Sequence, residues 1–420
     1  MSTTWDARLT ALQAHGRLPS VVAGVLQGGE LVWTGTVGGS LGDRYRIGSI
    51  TKTITAVAVL QLRDEGRLAL DDPIGSVVPE TGYAAASVRE LLAHTSGMQS
   101  EPVGSWWERS PGVGFATLVA ANDGSGAALP PGEFHYSNLG YALLGELVAR
   151  LRGESWWEVV SARVLAPLGM HRTSYADDAP AAQGWSVDHF AGTLTPEPHH
   201  DTVAMAPAGQ LWSTVEDLAR LGRFLATGHP DVLDVATLRE MAAPTSPSYG
   251  LGLWLGDVGG RRWVGHPGSM PGFQAGLFVD PASGDGVVAL AAATTGLDSR
   301  RLPQLLLGEG PAPAAEPWVP TTAVPRLARE VLGLWFWGNT ALELRWHQET
   351  LQLRGLASGE VTDVFEPHGD SFVGTAGYHR GETLHVVRGD DGVVDHLECA
   401  TFVYTRAPYA PTLSRRPASR

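Results

Sequence analysis

The spacing of apolar positions changes along the chain, and the changes divide it. Residues 5–15 carry apolar side chains at helical spacing and predict a short amphipathic helix. Two apolar runs, 21–27 and 30–37, flank Gly28-Gly29 and predict a β-hairpin. Ala56, Val57, Val59, Leu60 and Leu62 return to helical spacing, so a helix is expected from Ser49 to near Gly66. Ser87-Val88-Arg89-Glu90, Ser155-Trp156-Trp157-Glu158 and Ser213-Thr214-Val215-Glu216 read as capping boxes, each opening a helix. A further helix follows Asn138 to about Leu151, after a loop-rich stretch from Gly97 to Gly132. From Tyr249 the pattern becomes that of strands: 249–256, 261–266, 273–280 and 286–294. A hairpin, then helices, then strands predicts an α+β domain over residues 1–308. Its antiparallel sheet would be assembled from both ends, with a helical insertion between.

Residues 309–325 are rich in Pro and Ala and read as a linker. Beyond it, 341–347 and 350–356 alternate apolar and polar positions. With 383–387, 393–397 and 401–405 they predict a small antiparallel β-barrel or sandwich within 326–410. Residues 411–420 are expected to be a disordered tail.

Charge narrows the possible partners. The chain has 420 residues, with 30 Lys plus Arg against 44 Asp plus Glu, a net charge of −14. That argues against nucleic acid and anionic membranes as partners, since both require basic surfaces. The arginine pairs Arg300-Arg301 and Arg415-Arg416 read as solvated ends. The single cysteine, Cys399, allows no internal disulfide. The first residues lack a basic segment followed by an apolar one, and no apolar run is long enough for a bilayer, so a cytoplasmic protein is expected.

One charged residue is chemically distinctive. Lys52 is the only lysine, and it follows Ser49 by three residues, on the same face of the expected helix. Arginine serves as well as lysine for a surface charge, but it cannot give up its proton. A lysine whose pKa is lowered can take the proton of a neighbouring serine hydroxyl. A helix N-terminus also offers backbone N–H groups to an oxyanion.

Two other stretches suit such a site. In Phe134-His135-Tyr136-Ser137-Asn138, Tyr136 is either a packed aromatic or a tyrosinate sharing proton traffic with the lysine. Asn138 is either a helix cap or an amide that holds Lys52 or a substrate carbonyl. In Val264-Gly265-His266-Pro267-Gly268-Ser269, small residues at a strand end allow close approach of a substrate, and His266 is an acid, a base, a substrate contact or an ordinary turn residue. Trp106 and Trp107 lie in a loop between the first two motifs and either line a pocket or pack. His199-His200-Asp201 has no partner at zinc-ligand spacing, and no nucleotide-binding glycine motif is present.

In this order, Ser-x-x-Lys, Tyr-x-Asn and His-x-Gly resemble the serine β-lactamase and penicillin-binding-protein superfamily, nearest its class C branch of esterases, D-aminopeptidases and D,D-peptidases. Arg46-Ile47-Gly48-Ser49, Leu91-Leu92-Ala93-His94-Thr95-Ser96-Gly97 and Pro131-Gly132 add to the likeness, which covers about residues 5–300. The resemblance implies a β-lactamase/transpeptidase-like domain with its site in a cleft beside a helical subdomain, and a C-terminal lipocalin-like β-barrel. It implies acylation of Ser49, activation by Lys52 and Tyr136, and contact of the substrate amide with Asn138. Backbone N–H groups of Ser49 and Ser269 would form an oxyanion hole. Substrate contacts are expected at His266, Gly268, Ser269, Trp106 and Trp107, with no cofactor and no metal.

The third motif departs from the Lys-Thr-Gly usual in β-lactamases. His266-Pro267-Gly268 lacks the permanent cation that binds a substrate carboxylate. The reading is therefore a hydrolase of an ester or amide in a small or peptide-like acyl substrate. The alternatives are an acyl transferase resembling the penicillin-binding-protein-type thioesterases that cyclise nonribosomal peptides, and a non-catalytic binding protein on the same scaffold.

Overall fold

The computed structural model describes residues 2–409, which form two compact units, 2–186 with 196–318, and 187–195 with 319–409. The expected disordered tail lies outside the described residues.

The first unit is built on a six-stranded antiparallel sheet. Its spatial order is Glu30–Val37, Val21–Gln27, Gly286–Ala291, Phe273–Val279, Arg261–Met270, Trp254–Val258. The two halves of the chain meet where Val22 pairs with Leu290 and Ala23 with Ala289. Val21 to Leu26 are buried throughout, as a strand covered on both faces requires. Helix Val215–Thr227 covers one face, and helices Ser2–Gly16 and Leu302–Leu307 cover the other. Gly24 permits the first contact, because a Cβ there would lie 2.7 Å from Val215 Cγ1.

Helix Ile50–Asp64 is the centre of this unit. Every residue from Ile50 to Leu62 is buried, so the helix has no solvent face. Its polar positions are satisfied by surrounding segments. Thr53 Oγ1 donates to Gly252 O at 2.8 Å and Thr55 Oγ1 to Pro207 O at 2.9 Å. Leu211 N–H donates to Thr51 Oγ1 at 3.3 Å and Trp156 Nε1–H to Thr55 Oγ1 at 3.1 Å. Helix Asn138–Arg152 and the short turn Ala206–Gly209 pack directly on it.

Element boundaries differ from the sequence expectation where caps decide them. Thr214, not Ser213, caps helix Val215–Thr227, its side chain accepting from Asp217 N–H. Ser137 caps helix Asn138–Arg152, which makes Asn138 its first residue and not its cap. The edge strand of the sheet begins at Trp254 rather than 249, because Tyr249 bonds back to Ser246 and Gly250 to Leu253 in a turn.

The second unit is a closed barrel of eight strands in sequential order from Gly333–Trp337 to Phe402–Thr405, closed by the pairing of Phe336 with Thr405. Trp335, Leu344, Leu351, Phe365, Phe372 and Leu397 fill it. Strands Gly333–Trp337, Val361–His368 and Ser371–Gly377 add to those the alternation predicted. Val361–His368 was hidden because a charged residue, Asp363, shares the inward face with Phe365. Residues 187–195 belong to this unit: Trp346 N–H donates to Phe190 O at 2.9 Å, and Ala191 joins the barrel core. Among the described residues no helix is long and apolar enough to cross a membrane.

Gly48 has φ +50°, and a Cβ there would lie 2.5 Å from Ser269 N and 2.6 Å from Ser269 O. Both neighbours are backbone, so they cannot rotate away. Gly48→Ala is therefore expected to cost at least about 1 kcal/mol of stability, read as a lowered midpoint in chemical denaturation. An unchanged midpoint would refute this close packing of the two segments.

Candidate active site

Ser49 sits between a strand and the central helix. Tyr45–Arg46 pairs with Trp212–Ser213, the chain turns at Gly48, and Ser49 takes the N-cap position. Its hydroxyl makes no capping bond. It meets Lys52 instead, one helical turn on, with Nζ 2.9 Å from Ser49 Oγ. The same amine donates to Ala208 O at 2.6 Å. Lys52 is fully buried, and burial lowers its pKa to about 7 against the opposing pull of Glu101 and Glu108. The amine thus gives up its proton far more readily than an exposed lysine does.

Tyr136 lies on the other side of the serine. Its ring centroid is 5.1 Å from Lys52 Nζ, and its phenol is near enough to Ser49 for that side chain to bear on its pKa. Burial pushes the phenol pKa up. Tyr136 therefore rests as a neutral phenol, not as the tyrosinate considered from sequence. Ser49 Oγ is flanked by a group that can accept a proton and one that can donate it.

Behind the tyrosine runs a directional chain of hydrogen bonds. Ser137 N–H donates to His94 Nδ1 at 3.0 Å, so His94 carries its proton on Nε2. That nitrogen lies 3.2 Å from Tyr249 Oη. Tyr249 Oη in turn lies 3.0 Å from His266 Nε2. His266 Nδ1 is 2.6 Å from Pro267 O, which can only accept. The protons therefore sit on His94 Nε2, Tyr249 Oη and His266 Nδ1. Burial, reinforced by the Lys52 charge, holds His94 well below its usual pKa and His266 down at about 3. His266 is thus a neutral, fully engaged group and not a replacement cation.

Asn138 Nδ2 donates to Glu101 Oε1 at 2.6 Å, and Trp107 Nε1 donates to the other oxygen at 2.7 Å. Glu101 thus ties Asn138 to the loop that precedes it, a role no local pattern announced. Trp107 is buried in the core beside Gly209. Trp106 is exposed, bonds Glu108 through its indole N–H at 2.9 Å, and lies under the Arg109 guanidinium. Of the nine residues expected at the site, Ser49, Tyr136, His266, Gly268 and Ser269 line one cleft of about 670 Å³; Lys52 and Asn138 lie behind its wall, and the two tryptophans are not part of it.

Phe134, Trp254, Gln274, Leu297, Asp298 and Arg300 are among the other residues that line it. Arg300 is exposed, as its reading as a solvated residue expects, and it also lines the cleft. Its guanidinium carbon lies over the Trp254 ring, 3.9 Å from the centroid. Its charge reaches both Tyr136 and His266. The two histidines considered as metal ligands are elsewhere: His199 packs on Trp212 and Phe273, beside His200.

This arrangement has relatives. The profile of the Beta-lactamase family matches residues 5–308, and that of a domain of unknown function, DUF7586, matches 324–406. The chain belongs to the Beta-lactamase family, a family of serine hydrolases. It is 30% identical over 261 residues to Beta-lactamase-like protein 2 of Dictyostelium discoideum, covering 54% of this chain and 46% of that one. Against Penicillin-binding protein 4 of Amycolatopsis lactamdurans it is 29% identical over 346 residues, covering 73% of this chain and 89% of the other. The chain thus spans about half the length of the first relative and most of the second. The crystal structure of a D-stereospecific amidohydrolase from Streptomyces sp. superposes with a TM-score of 0.65 at 28% identity, covering 74% of this chain and all of that one.

Tyr249→Phe removes the one hydroxyl that serves both histidines, leaving a buried donor on His94 and a buried acceptor on His266 without partners. The expected loss is about 1–3 kcal/mol, measured by denaturant unfolding. A variant as stable as the parent would contradict the proton placement given above.

Proposed function

We propose that this protein hydrolyses an amide or ester of a peptide-like substrate through an acyl-enzyme on Ser49. The observation that carries the reading is the 2.9 Å contact between Ser49 Oγ and a fully buried lysine whose pKa is lowered to about 7. In its neutral form Lys52 takes the Ser49 proton as Oγ attacks the carbonyl carbon. Main-chain N–H groups of Ser49 and Ser269, brought together by Gly48, receive the oxyanion. The Tyr136 phenol passes a proton to the departing amine or alcohol, and water then releases the acid. Asn138, held by Glu101, contacts the substrate amide. Likeness to the Streptomyces D-stereospecific amidohydrolase supports an amide substrate.

Arg300 gives this reading a charge preference. His266 is neutral, so the cation facing the cleft is the guanidinium on Trp254. It would bind an anionic group of the substrate, a carboxylate above all.

Intact-protein mass spectrometry tests the first part. With a p-nitrophenyl acyl ester or a D-amino-acid amide, wild type should gain one acyl mass and Ser49→Ala none, with kcat reduced at least about 1,000-fold. The acylation rate should fall about tenfold per pH unit below about pH 7, because protonated Lys52 cannot accept the serine proton. An adduct that persists on Ser49→Ala would sink the assignment.

Arg300→Gln tests the second part. It should raise KM about tenfold for a substrate bearing a free carboxylate, the worth of roughly one charge-assisted bond. KM for the corresponding neutral amide should stay the same. Equal changes in both would remove Arg300 from substrate recognition.

A further inference from the structure

The barrel carries a cluster of reactive groups unrelated to Ser49. Residues 379–382 form a turn, closed by Glu382 N–H donating to His379 O at 3.0 Å. Positions one and four of the turn then project together. His379 Nδ1 lies 2.6 Å from Glu382 Oε2. Cys399, the last residue of strand Val394–Cys399, brings its sulfur to 3.9 Å from the same oxygen. The three donor atoms all lie within 4.8 Å of one another. His379 and Cys399 are buried, while Glu382 reaches solvent.

Charge in this cluster is out of balance. Asp363 is 4% exposed and accepts the His379 backbone N–H at 2.7 Å. Among the described residues no arginine forms an ion pair with Asp363 or Glu382. Of the two carboxylates beside the buried thiol, Asp363 is buried and Glu382 is exposed, and neither is paired with an arginine among the described residues. A buried carboxylate without a cation is costly, and a thiol is a poor hydrogen-bond substitute. A divalent ion would supply the missing charge.

The surroundings of His379 also suit a ligand. Its second nitrogen, Nε2, lies 3.1 Å from Tyr404 Oη. With a metal on Nδ1, Nε2 carries the proton and donates it to that oxygen, the outer contact that fixes a ligating imidazole. Asp363 anchors the backbone of the same residue. Phe402 packs edge-on against the ring, with centroids 4.8 Å apart.

We propose that Cys399, His379 and Glu382 bind one divalent transition-metal ion, zinc by its preference for sulfur, imidazole and carboxylate, with water as fourth ligand. Ligands around a tetrahedral zinc are roughly 3.3–3.8 Å apart, so the cluster needs only small side-chain shifts. Glu382, on the surface side, can supply most of them. The Cys399 S–H bond breaks, the thiolate binds the metal, and the proton leaves to solvent. The proton that His379 Nδ1 shares with Glu382 passes to Nε2, and their hydrogen bond gives way to two metal–ligand bonds. The ion would then staple the turn at 379–382 to the end of strand Val394–Cys399.

The full chain, stripped with a chelator and dialysed, is titrated with cobalt(II) and separately with zinc(II). Because Cys399 is the only cysteine, a thiolate-to-cobalt charge-transfer band in the near ultraviolet reports this site alone. The expected result is that band, one zinc retained per chain after gel filtration, and a raised melting temperature. Cys399→Ser should abolish the band and zinc retention, and Glu382→Gln should weaken zinc at least about tenfold. Ester hydrolysis should be unchanged in both variants, and their folding is checked by circular dichroism. Wild type that shows no band and keeps no zinc, or Cys399→Ser that keeps zinc as well as wild type, would overturn the proposal.

Discussion

The first unit depends on keeping one ammonium group out of water. Lys52 stands on a helix with no solvent face, where a charged amine loses its hydration and gains only a serine hydroxyl, a carbonyl and two aromatic faces in return. Its proton becomes weakly held as a result. Glu101 and Glu108 pull the other way but do not offset the burial. A helix with a wet side would leave the amine an ordinary cation. The burial of Ile50 to Leu62 is thus part of the chemistry as well as of the core.

The same dryness shapes the neighbours. A second cation where His266 stands would face Lys52 across a buried space, whereas a neutral imidazole completes a hydrogen-bond chain to His94. The cleft keeps a cation by another route, at the solvent edge, where the indole of Trp254 supports Arg300. Charge is held at the rim and removed from the interior, which is the arrangement desolvation favours.

Much of this was legible in the sequence because it is local. Ser49 and Lys52 are one helical turn apart, and the capping residues at Ser87 and Ser155 announce their helices. The sheet built from both ends followed from the order of periods alone. What stayed hidden is what distant segments share. Tyr249 gains its meaning from residues 94 and 266, Glu101 from 138, and Arg300 from 254. Trp106 and Trp107, adjacent in sequence, separate to surface and core, which no spacing rule distinguishes. In the barrel, an inward Asp363 broke the alternation that marks a strand.

The pairing of Val21–Gln27 with Gly286–Ala291 has a consequence for how the molecule comes into being. The hairpin leaves its inner strand with an unpaired edge until about 260 further residues have been made. Ser49 likewise waits for Ser269, whose backbone closes on Gly48 across 220 positions. Contacts this remote in sequence are slow to form and expose sticky edges meanwhile. A chain interrupted anywhere before that point has its serine and its lysine in place on a helix, yet no finished site around them.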